Sequence, residues 1–353
     1  MKALILAGGT GSRLRPITHS IAKQLVPVAN KAVIEFGIEA IRETGITDFG
    51  IIVGDAHSEI ERHLGDGSRW GCKFCYIPQS SPLGLAHAVK TAREYLGSDK
   101  FIMYLGDNLI KGGVSELVAE FQRTPHDASI LLTKVPNPEQ FGVAELSGDR
   151  VVRLQEKPKE PKSDLALVGV YLFTPLIFDA IDTLKPSFRG EYEITDAIQT
   201  LIDWDKDVRY QIVTGWWKDT GTVEAMLEAN RLILEDMTES NDGVCTDSRI
   251  EGSVKIGSGS IVKGSTIRGP AIVGCDCVVE NSFIGPYSAI ADGVRLVNAE
   301  VENSIVMEGS RIEGVRNRVS DSLVGRGVTV CQSDRKPSTV SLVLGDNSSV
   351  NLP

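Results

Sequence analysis

The sequence predicts an α/β domain with a central sheet, followed by a parallel β-helix. Up to about residue 236, short apolar runs alternate with helix-like segments, which is the pattern of an α/β sheet domain. From about residue 245, aliphatic residues recur every six positions with Gly, Asp, Asn and Ser between them. A six-residue period is the hexapeptide signature of a β-helix. The predicted domains are 1–236 and 245–353, joined by a polar linker at 237–244.

The apolar runs and helical patterns of the first domain predict seven strands and seven helices. A chain of 353 residues is too long for one typical core, which agrees with two domains. The predicted strands cover 3–7, 49–53, 73–77, 101–105, 128–134, 166–173 and 208–213. The predicted helices cover 32–44, 57–64, 84–96, 114–121, 175–183, 194–203 and 222–235.

The period of the second domain is clearest from Val278 through Ile284 and Ile290 to Leu296. The pairs Ile250–Ile256 and Leu344–Val350 show the same step of six. Each aliphatic side chain is expected to point inward, and three hexapeptides are expected to close one triangular coil. About five or six coils fit into this part of the chain.

Charge and composition exclude several functional classes. The net charge is −10, which disfavours nonspecific binding of nucleic acid or of anionic membranes. No apolar run reaches the length of a membrane span, and the N-terminus has the pattern of a strand rather than a signal peptide. We therefore expect a cytoplasmic protein. Its six cysteines, including the Cys72-x-x-Cys75 pair, are expected to be ordinary reduced thiols.

A glycine-rich turn follows the first strand. Gly8, Gly9 and Gly11 allow a tight turn and close approach of a ligand, and the cations Arg13 and Lys23 come next. Backbone donors beside positive charges suit a polyphosphate. The turn is not a P-loop, because no Lys-Ser or Lys-Thr follows the glycines. It is not a dinucleotide fingerprint either, because Leu14 occupies the position of the third glycine.

Three further clusters carry polar chemistry. Gln79 precedes Gly84 at a helix start, and its amide suits the edge of a pyrimidine, although this segment also fits a simple turn. Asp107 ends a strand and Asp219 precedes a helix, so together they could hold Mg²⁺, although Asp219 could instead cap its helix. Glu156 and Lys157 suit a sugar phosphate or form a surface ion pair.

These motifs resemble those of a known family. The segment Leu6-Ala-Gly-Gly-Thr-Gly-Ser-Arg-Leu-Arg-Pro, followed by Lys23-Gln-Leu-Val-Pro-Val, is similar to the signature of sugar-1-phosphate nucleotidyltransferases. Among them, the chain is most like the long-form glucose-1-phosphate thymidylyltransferases. The resemblance implies a Rossmann-like mixed-sheet nucleotidyltransferase domain followed by a left-handed β-helix. Phe141 stands where shorter members often carry tyrosine, so a hydroxyl contact from that position is absent here.

The resemblance also implies roles for individual residues. Those implied for catalysis are Arg13, Lys23 and Lys157. Those implied for the nucleotide are Leu6, Gly8, Gly9, Thr10, Gly11, Gln79 and Gly84. Those implied for the sugar phosphate are Gly142, Glu156, Lys157, Leu167 and Tyr171, while Asp107 and Asp219 are the implied Mg²⁺ ligands. The segment 186–196 matches the family as a loop and helix start that brings Glu193 towards the sugar, and His87 is expected to be a packing residue.

The implied reaction joins dTTP and α-D-glucose 1-phosphate into dTDP-glucose and releases pyrophosphate. The alternatives within the class are another nucleotide, such as UTP or GTP, or another sugar 1-phosphate. A bifunctional enzyme with an acyltransferase β-helix is disfavoured, because that chemistry commonly needs a histidine base. None of the five histidines, at 19, 57, 63, 87 and 126, lies in the predicted β-helix. A noncatalytic sugar-nucleotide sensor is disfavoured, because all the charged residues that the resemblance implies for the reaction are present. The resemblance also implies a homo-oligomer.

Overall fold

The computed structural model describes residues 1–54, 57–148, 150–332 and 340–351. The chain forms two compact units, Met1–Thr10 with Ile34–Asp219, and Gly11–Val33 with Thr220–Pro353. The units do not follow chain order, because the segment Gly11–Val33, which carries Arg13 and Lys23, is grouped with the C-terminal part of the chain. Residues 333–339 and 352–353 of the predicted β-helix domain lie outside the described residues.

The strands up to Asp219 number thirteen among the described residues. In chain order they are β1 (Lys2–Ala7), β2 (Pro27–Val28), β3 (Lys31–Ala32), β4 (Asp48–Val53), β5 (Lys73–Pro78), β6 (Phe101–Leu105), β7 (Asn108–Ile110), β8 (Ala128–Lys134), β9 (Gly142–Ser147), β10 (Arg150–Glu156), β11 (Leu165–Phe173), β12 (Val208–Ile212) and β13 (Trp217–Asp219). The seven predicted strands are confirmed to within a residue at each end.

Nine of these strands form the sheet of the first unit. Its main order is β10-β9-β11-β6-β1-β4-β5, and β8 joins β11 to β12. Strands β6, β1, β4 and β5 are parallel to one another, whereas β11 runs antiparallel to β6, β8 and β9. Because the four parallel strands end at one edge of the sheet, the residues after β1, β5 and β6 meet there. These residues include Gly8, Gln79 and Asp107.

The helices of the chain are α1 (Val33–Arg42), α2 (His57–Leu64), α3 (Leu85–Thr91), α4 (Arg93–Leu96), α5 (Ser115–Arg123), α6 (Ile177–Thr183), α7 (Ile194–Asp203) and α8 (Val223–Glu235). The predicted helix 84–96 is interrupted at Ala92, whose φ of −85° and ψ of 1° leave the helical region. Every other predicted helix is confirmed, with ends that differ by two residues or fewer. In the described part of the chain, no helix is long and apolar enough to cross a membrane.

The sequence analysis did not predict the hairpin of β9 and β10 or the short pairs β2–β3 and β7–β13. Strand β10 carries arginines and a glutamine, and its register shifts between Val151 and Arg153. This irregularity breaks the alternation of apolar and polar residues by which a half-buried strand is detected. Strands β7 and β13 each have three residues, too few to produce a period.

The second unit contains a parallel β-helix with three sheets, each built from strands of successive coils. The first sheet contains β14 (Ser240–Asn241), β17 (Val254–Ile256), β20 (Ala271–Val273), β23 (Ser288–Ile290), β26 (Ile305–Val306) and β29 (Leu323–Val324). The second contains β15 (Val244–Thr246), β18 (Ile261–Lys263), β21 (Val278–Glu280), β24 (Arg295–Val297), β27 (Arg311–Glu313) and β30 (Thr329–Cys331). The third contains β16 (Arg249–Glu251), β19 (Thr266–Arg268), β22 (Phe283–Ile284), β25 (Glu300–Glu302) and β28 (Val319–Ser320).

Three details of the predicted repeat are wrong. Val278 does not point inward, because Val279 is the fully buried residue of β21. Ile250 is partly exposed, whereas Ile256, Ile284, Ile290 and Leu296 are fully buried as expected. The step from Leu344 to Val350 is not a coil, because the described residues 340–351 form no strand and both side chains are exposed.

The coil length explains the irregular period. Buried serines occupy the turns of successive coils, and the Ser282 N–H donates to Ser265 Oγ, 17 residues earlier. The Ser322 N–H donates to Ser304 Oγ in the same way across 18 residues. A coil of 17 residues cannot consist of three equal hexapeptides, so the aliphatic spacing must slip in such a coil, whereas a coil of 18 residues can keep the period of six.

Candidate active site

The glycine turn after β1 lies next to the side chain that was predicted to bind the base. Gly8 has little room for a side chain, since a Cβ there would lie 3.2 Å from Gln79 Oε1. Leu6 is buried in β1, while Gly9 and Thr10 are exposed. The structure thus brings together the first nucleotide-binding candidates at the sheet edge.

Gly84 is the residue immediately before helix α3. Gly84 has a φ of +106°, and a Cβ there would lie 2.5 Å from the backbone oxygen of Tyr192. The Tyr192 oxygen accepts from the Ala86 N–H at 3.0 Å, and the Tyr192 N–H donates to Leu83 O at 2.7 Å. Only glycine can satisfy both the left-handed backbone and this close approach.

His87 has a role that the sequence analysis did not predict. Gln79 Nε2 donates to His87 Nδ1 at 2.8 Å, one turn into α3. Burial, and then the charge of Lys90, lowers the pKa of His87. The imidazole is therefore neutral at neutral pH and can accept this hydrogen bond. The expectation that His87 only packs is corrected, since it contacts the amide directly.

The two acidic residues predicted to bind metal are adjacent in the fold. Strand β13 pairs antiparallel with β7, so that Asp219 is opposite Asn108, the residue that follows Asp107. Asn108 is buried, donates to Asp107 Oδ1 at 2.9 Å and accepts from Trp217 Nε1 at 2.5 Å. Asn108 thereby orients Asp107, and the Oδ1 atom of Asp219 is buried.

An aromatic contact joins this pair of carboxylates to the third cluster. Trp217 packs edge-on against Phe141, with ring centroids 5.4 Å apart. The Lys157 N–H donates to Phe141 O at 3.0 Å, and Lys157 has a φ of +42°. The side chain of Lys157 is exposed. Phe141 therefore supports both clusters through packing and through its backbone.

Glu156 lies at the centre of the candidate sugar-phosphate residues. Its Oε2 accepts from Thr195 Oγ1 at 2.7 Å, and its Oε1 lies 3.4 Å from Arg189 Nη1. A Cβ on Gly142 would lie 3.1 Å from Glu156 Oε2 and 3.4 Å from Leu167 Cδ1. A side chain at Gly142 would therefore require Glu156, Thr195 or Leu167 to shift by a few tenths of an ångström.

Tyr171 is close enough to Glu156 to feel its charge. Its ring is buried and is nearly parallel to Phe173, with centroids 6.0 Å apart. Burial raises the pKa of Tyr171 well above its usual range, and the charge of Glu156 raises it further. Tyr171 is therefore a neutral phenol. The structure brings Gly142, Glu156 and Leu167 into contact, and the charge of Glu156 reaches Tyr171.

Arg189 and Thr195 are the neighbours of Glu156 that the sequence analysis missed. Arg189 Nη1 also lies 3.3 Å from Glu193, and its Nη2 lies 2.9 Å from Glu191. Burial raises the pKa of Glu193, with a further contribution from the charge of Glu156. One guanidinium thus holds three carboxylates together, a role that the segment 186–196 does not reveal in sequence.

The two candidate phosphate-binding cations belong to the second unit. Arg13 is exposed in a short 3₁₀ turn, and Lys23 is half-buried at the start of another. Gly11 has a φ of +62°, and a Cβ there would lie 2.7 Å from Lys23 Cβ. Thr18 Oγ1 donates to Gly11 O at 2.7 Å, which closes the stretch of chain that carries Arg13.

This cation-bearing segment, Gly11–Val33, is attached to α8 and to the β-helix. Asn230 of α8 is fully buried, accepts from the Ala29 N–H at 2.9 Å and donates to Tyr287 O at 2.8 Å. Asn30 Nδ2 donates to Ile290 O at 2.7 Å. The segment is therefore held by hydrogen bonds to a helix and to a β-helix coil.

Comparison with known proteins identifies the family. The sequence model of the nucleotidyl transferase family matches residues 2–236. A glucose-1-phosphate thymidylyltransferase of Streptomyces griseus is 54% identical over 350 residues, which cover 99% of this chain and 98% of that protein. The low-salt glycan biosynthesis nucleotidyltransferase Agl11 of Haloferax volcanii is 45% identical, and all of both chains is covered.

A solved structure agrees with these relatives over the first part of the chain. It comes from Bacillus anthracis, is assigned as a glucose-1-phosphate thymidylyltransferase and contains sucrose. Its sequence is 38% identical and its TM-score is 0.63, with 68% of this chain and 98% of that chain covered. Since the family model matches well over half of the sequence and full-length relatives agree with it, the chain belongs to the nucleotidyl transferase family.

Proposed function

We propose that this enzyme transfers a thymidylyl group from dTTP to α-D-glucose 1-phosphate, giving dTDP-glucose and pyrophosphate. The observation that carries the proposal is the pairing of β7 with β13, which sets Asp107 beside Asp219. The Trp217–Phe141 contact then links these acids to Lys157. The site thus combines a carboxylate pair with a cation next to a sugar-phosphate cluster, and the name of the Streptomyces griseus relative supports the substrates.

Asp107 and Asp219 would hold Mg²⁺. Mg²⁺ prefers oxygen ligands and is usually bound by one or two carboxylates, with substrate phosphates and water completing its shell. The described residues contain no group of three or more His, Cys, Asp or Glu that could hold a metal ion. The pair Asp107 and Asp219 supplies the two carboxylates that a site of this kind uses. When bound, the cation would polarise the α-phosphate and neutralise negative charge.

The chain's own residues supply positioning and positive charge. The sugar phosphate is already an anion, so in-line attack on the α-phosphorus needs no general base. Lys157 would hold the nucleophilic phosphate, while Arg13 and Lys23 would bind the phosphates of the nucleotide and stabilise departing pyrophosphate. Charged donors are suited to this task, because the transition state gathers negative charge on phosphate oxygens.

The remaining candidates would bind the base and the sugar. We assign the nucleotide to Leu6, the glycine turn Gly8–Gly11, Gln79 and Gly84, because the backbone of a glycine turn suits phosphates and the side-chain amide of Gln79 suits a pyrimidine. We assign the sugar phosphate to Gly142, Glu156, Leu167 and Tyr171 beside Lys157. Glu156 retains acceptor capacity for sugar hydroxyls, since each carboxylate oxygen has two lone pairs.

The test is a panel of pyrophosphate-release assays on the purified enzyme. Each of dTTP, UTP, GTP, ATP and CTP is combined with glucose 1-phosphate and with other sugar 1-phosphates. We expect the highest kcat/KM for dTTP with α-D-glucose 1-phosphate. A clear preference for another pair would keep the reaction class and replace the substrates. Release of pyrophosphate without any sugar phosphate would contradict transfer altogether.

Two further proposals concern the location and the assembly of the enzyme. We infer that the enzyme acts in the cytoplasm and that it assembles into a homo-oligomer. Cell fractionation tests the first inference. Size-exclusion chromatography with light scattering tests the second, and a mass equal to that of one 353-residue chain would contradict it.

A further inference from the structure

Gln79 and His87 form a pair whose hydrogen bond has a direction. Gln79 follows β5, and its Nε2 lies 2.8 Å from His87 Nδ1. A neutral imidazole whose Nδ1 is an acceptor carries its proton on Nε2. In this state His87 accepts from the amide nitrogen of Gln79 but cannot donate to the amide oxygen through the same atom. The contact thus distinguishes the two ends of the amide.

The amide of Gln79 is therefore held in one orientation while His87 carries its proton on Nε2. Its nitrogen is directed to His87, and its Oε1 is the atom nearest to the Cβ direction of Gly8, at 3.2 Å. An amide without such a partner can rotate by half a turn about its last torsion, which exchanges donor and acceptor. His87 restricts this freedom, because with its proton on Nε2 a flipped amide would place oxygen against an acceptor nitrogen, so that a flip also requires the imidazole to move its proton to Nδ1.

The orientation matters for the choice of pyrimidine. Thymine and uracil present a ring N–H donor beside carbonyl acceptors, whereas cytosine presents an amino donor beside a ring nitrogen acceptor. An amide that can flip pairs with either edge. An amide that is held in one orientation pairs well with one edge and leaves unmatched polar groups against the other, which is the strongest kind of discrimination available to a binding site.

We propose that His87 is a positioning residue that holds the Gln79 amide in the orientation that selects thymine and uracil over cytosine. This inference rests on the proposed function, because it assumes that Gln79 contacts the base of the nucleotide. It adds that base selection is set by a second residue that does not itself touch the base. The proposed selection acts on the hydrogen-bonding edge of the pyrimidine. It does not distinguish thymine from uracil, because the thymine methyl group plays no part in it.

The experiment measures kcat/KM for dTTP, dCTP and dUTP with glucose 1-phosphate in the wild-type enzyme, H87L, H87N and H63L. All three nucleotides share deoxyribose, so only the base differs. We expect H87L to lower the dTTP/dCTP ratio about tenfold or more, as expected for losing one orienting hydrogen bond. The dTTP/dUTP ratio should not change. In H87N the new amide oxygen can accept from Gln79, so part of the dTTP/dCTP ratio should return.

The control variant and the use of ratios ensure that a folding defect is not mistaken for a change in base selection. His63 also lies on a helix and makes a side-chain contact, to Glu35 at 2.6 Å, so H63L should leave both ratios unchanged. Each ratio is measured on one preparation, and a fraction of inactive enzyme therefore cancels. H87N adds a variant that differs less from the wild-type side chain.

Three results would overturn the inference. The first is a dTTP/dCTP ratio in H87L equal to the wild-type ratio, and the second is an equal fall of both ratios. The third is an H87N ratio no higher than that of H87L. A wild-type enzyme that does not use dTTP would instead defeat the proposed function. The two failures are thus distinguished within one set of measurements.

Discussion

Replacing Asn230 with alanine should detach the cation-bearing segment Gly11–Val33 from the elements that hold it. Asn230 is fully buried and uses both ends of its amide, accepting from the Ala29 N–H and donating to Tyr287 O. Alanine removes both bonds and leaves two backbone groups without these partners. Each such group costs about 1–3 kcal/mol, so the free energy of unfolding should fall by about 2–6 kcal/mol.

Two measurements test this prediction. Differential scanning calorimetry should show a melting temperature that is several degrees lower in N230A. Amide hydrogen exchange should show faster exchange of the Ala29 N–H, because its acceptor is gone. N230D keeps an oxygen for the Ala29 N–H but loses the donor to Tyr287. Exchange at Ala29 should therefore be slower in N230D than in N230A.

The exposed Asn317 provides the matched control. N317A should change the free energy of unfolding by no more than about 0.5 kcal/mol, as is usual for surface positions. The reasoning is refuted if N230A has the same melting temperature as the wild-type enzyme and if the Ala29 N–H exchanges at the wild-type rate. Either a shift of several degrees in N317A or equal exchange in N230A and N230D would also contradict the assignment of these two hydrogen bonds.

Three further predictions concern catalysis, sugar binding and pH. Steady-state kinetics of R13A and D219A should show a kcat reduced about a hundredfold or more, because each is assigned a charge that acts on phosphate oxygens. G142A should raise the KM for the sugar phosphate about tenfold with little change in the KM for dTTP, since the new Cβ would lie 3.1 Å from Glu156 Oε2 and Thr195 Oγ1. Burial lowers the pKa of His126, which lies 2.5 Å from Ser129 Oγ, so the unfolded chain binds more protons than the folded one in acid. The contribution of His126 to the free energy of unfolding is fully present above its unfolded pKa of about 6.5 and decreases as the pH drops below that value. The melting temperature of H126N should therefore change less between pH 7.5 and pH 5 than that of the wild type.

Each of these predictions has a contradicting result. Turnover near the wild-type value in R13A or D219A would remove these residues from the catalytic set. Equal changes in both KM values in G142A would show that the glycine acts on the whole fold rather than on Glu156. Parallel melting curves for wild type and H126N across the pH range would show that the protonation of His126 does not contribute to acid sensitivity.

Much of the fold was predictable because the core strands carry a simple signal. Buried parallel strands such as Lys2–Ala7 and Phe101–Leu105 read as continuous apolar runs. Strands β9 and β10 were not predictable in this way, because a register shift and exposed arginines break their period. In the β-helix, the hexapeptide period gave the architecture but not the inward residue of β21, since coils of 17 residues shift the spacing.

The candidate site was predictable where motifs carry chemistry and unpredictable where tertiary contacts do. Asp107 and Asp219 could be proposed as a pair, but only the β7–β13 register shows that they are neighbours. Asn108, Arg189 and Thr195 orient carboxylates that come from other segments, and no spacing rule connects them. The role of His87 could have been inferred from its position eight residues after Gln79, across a turn and one helical turn.

The attachment of the cation-bearing segment was also beyond sequence reasoning. Asn30 and Asn230 are ordinary polar residues in sequence, and their partners Ile290 and Tyr287 contribute only backbone carbonyls. Backbone acceptors leave no mark in side-chain patterns. The structure therefore gives the β-helix a specific task, since one of its coils accepts hydrogen bonds that hold the segment carrying Arg13 and Lys23.

The central claim is that the enzyme joins a thymidylyl group to glucose 1-phosphate. The most direct test is ³¹P NMR of the products formed from dTTP, α-D-glucose 1-phosphate and Mg²⁺. The account predicts the paired diphosphate resonances of dTDP-glucose and one equivalent of pyrophosphate, with loss of the glucose 1-phosphate signal. Pyrophosphate or phosphate appearing while the glucose 1-phosphate signal stays constant would contradict it.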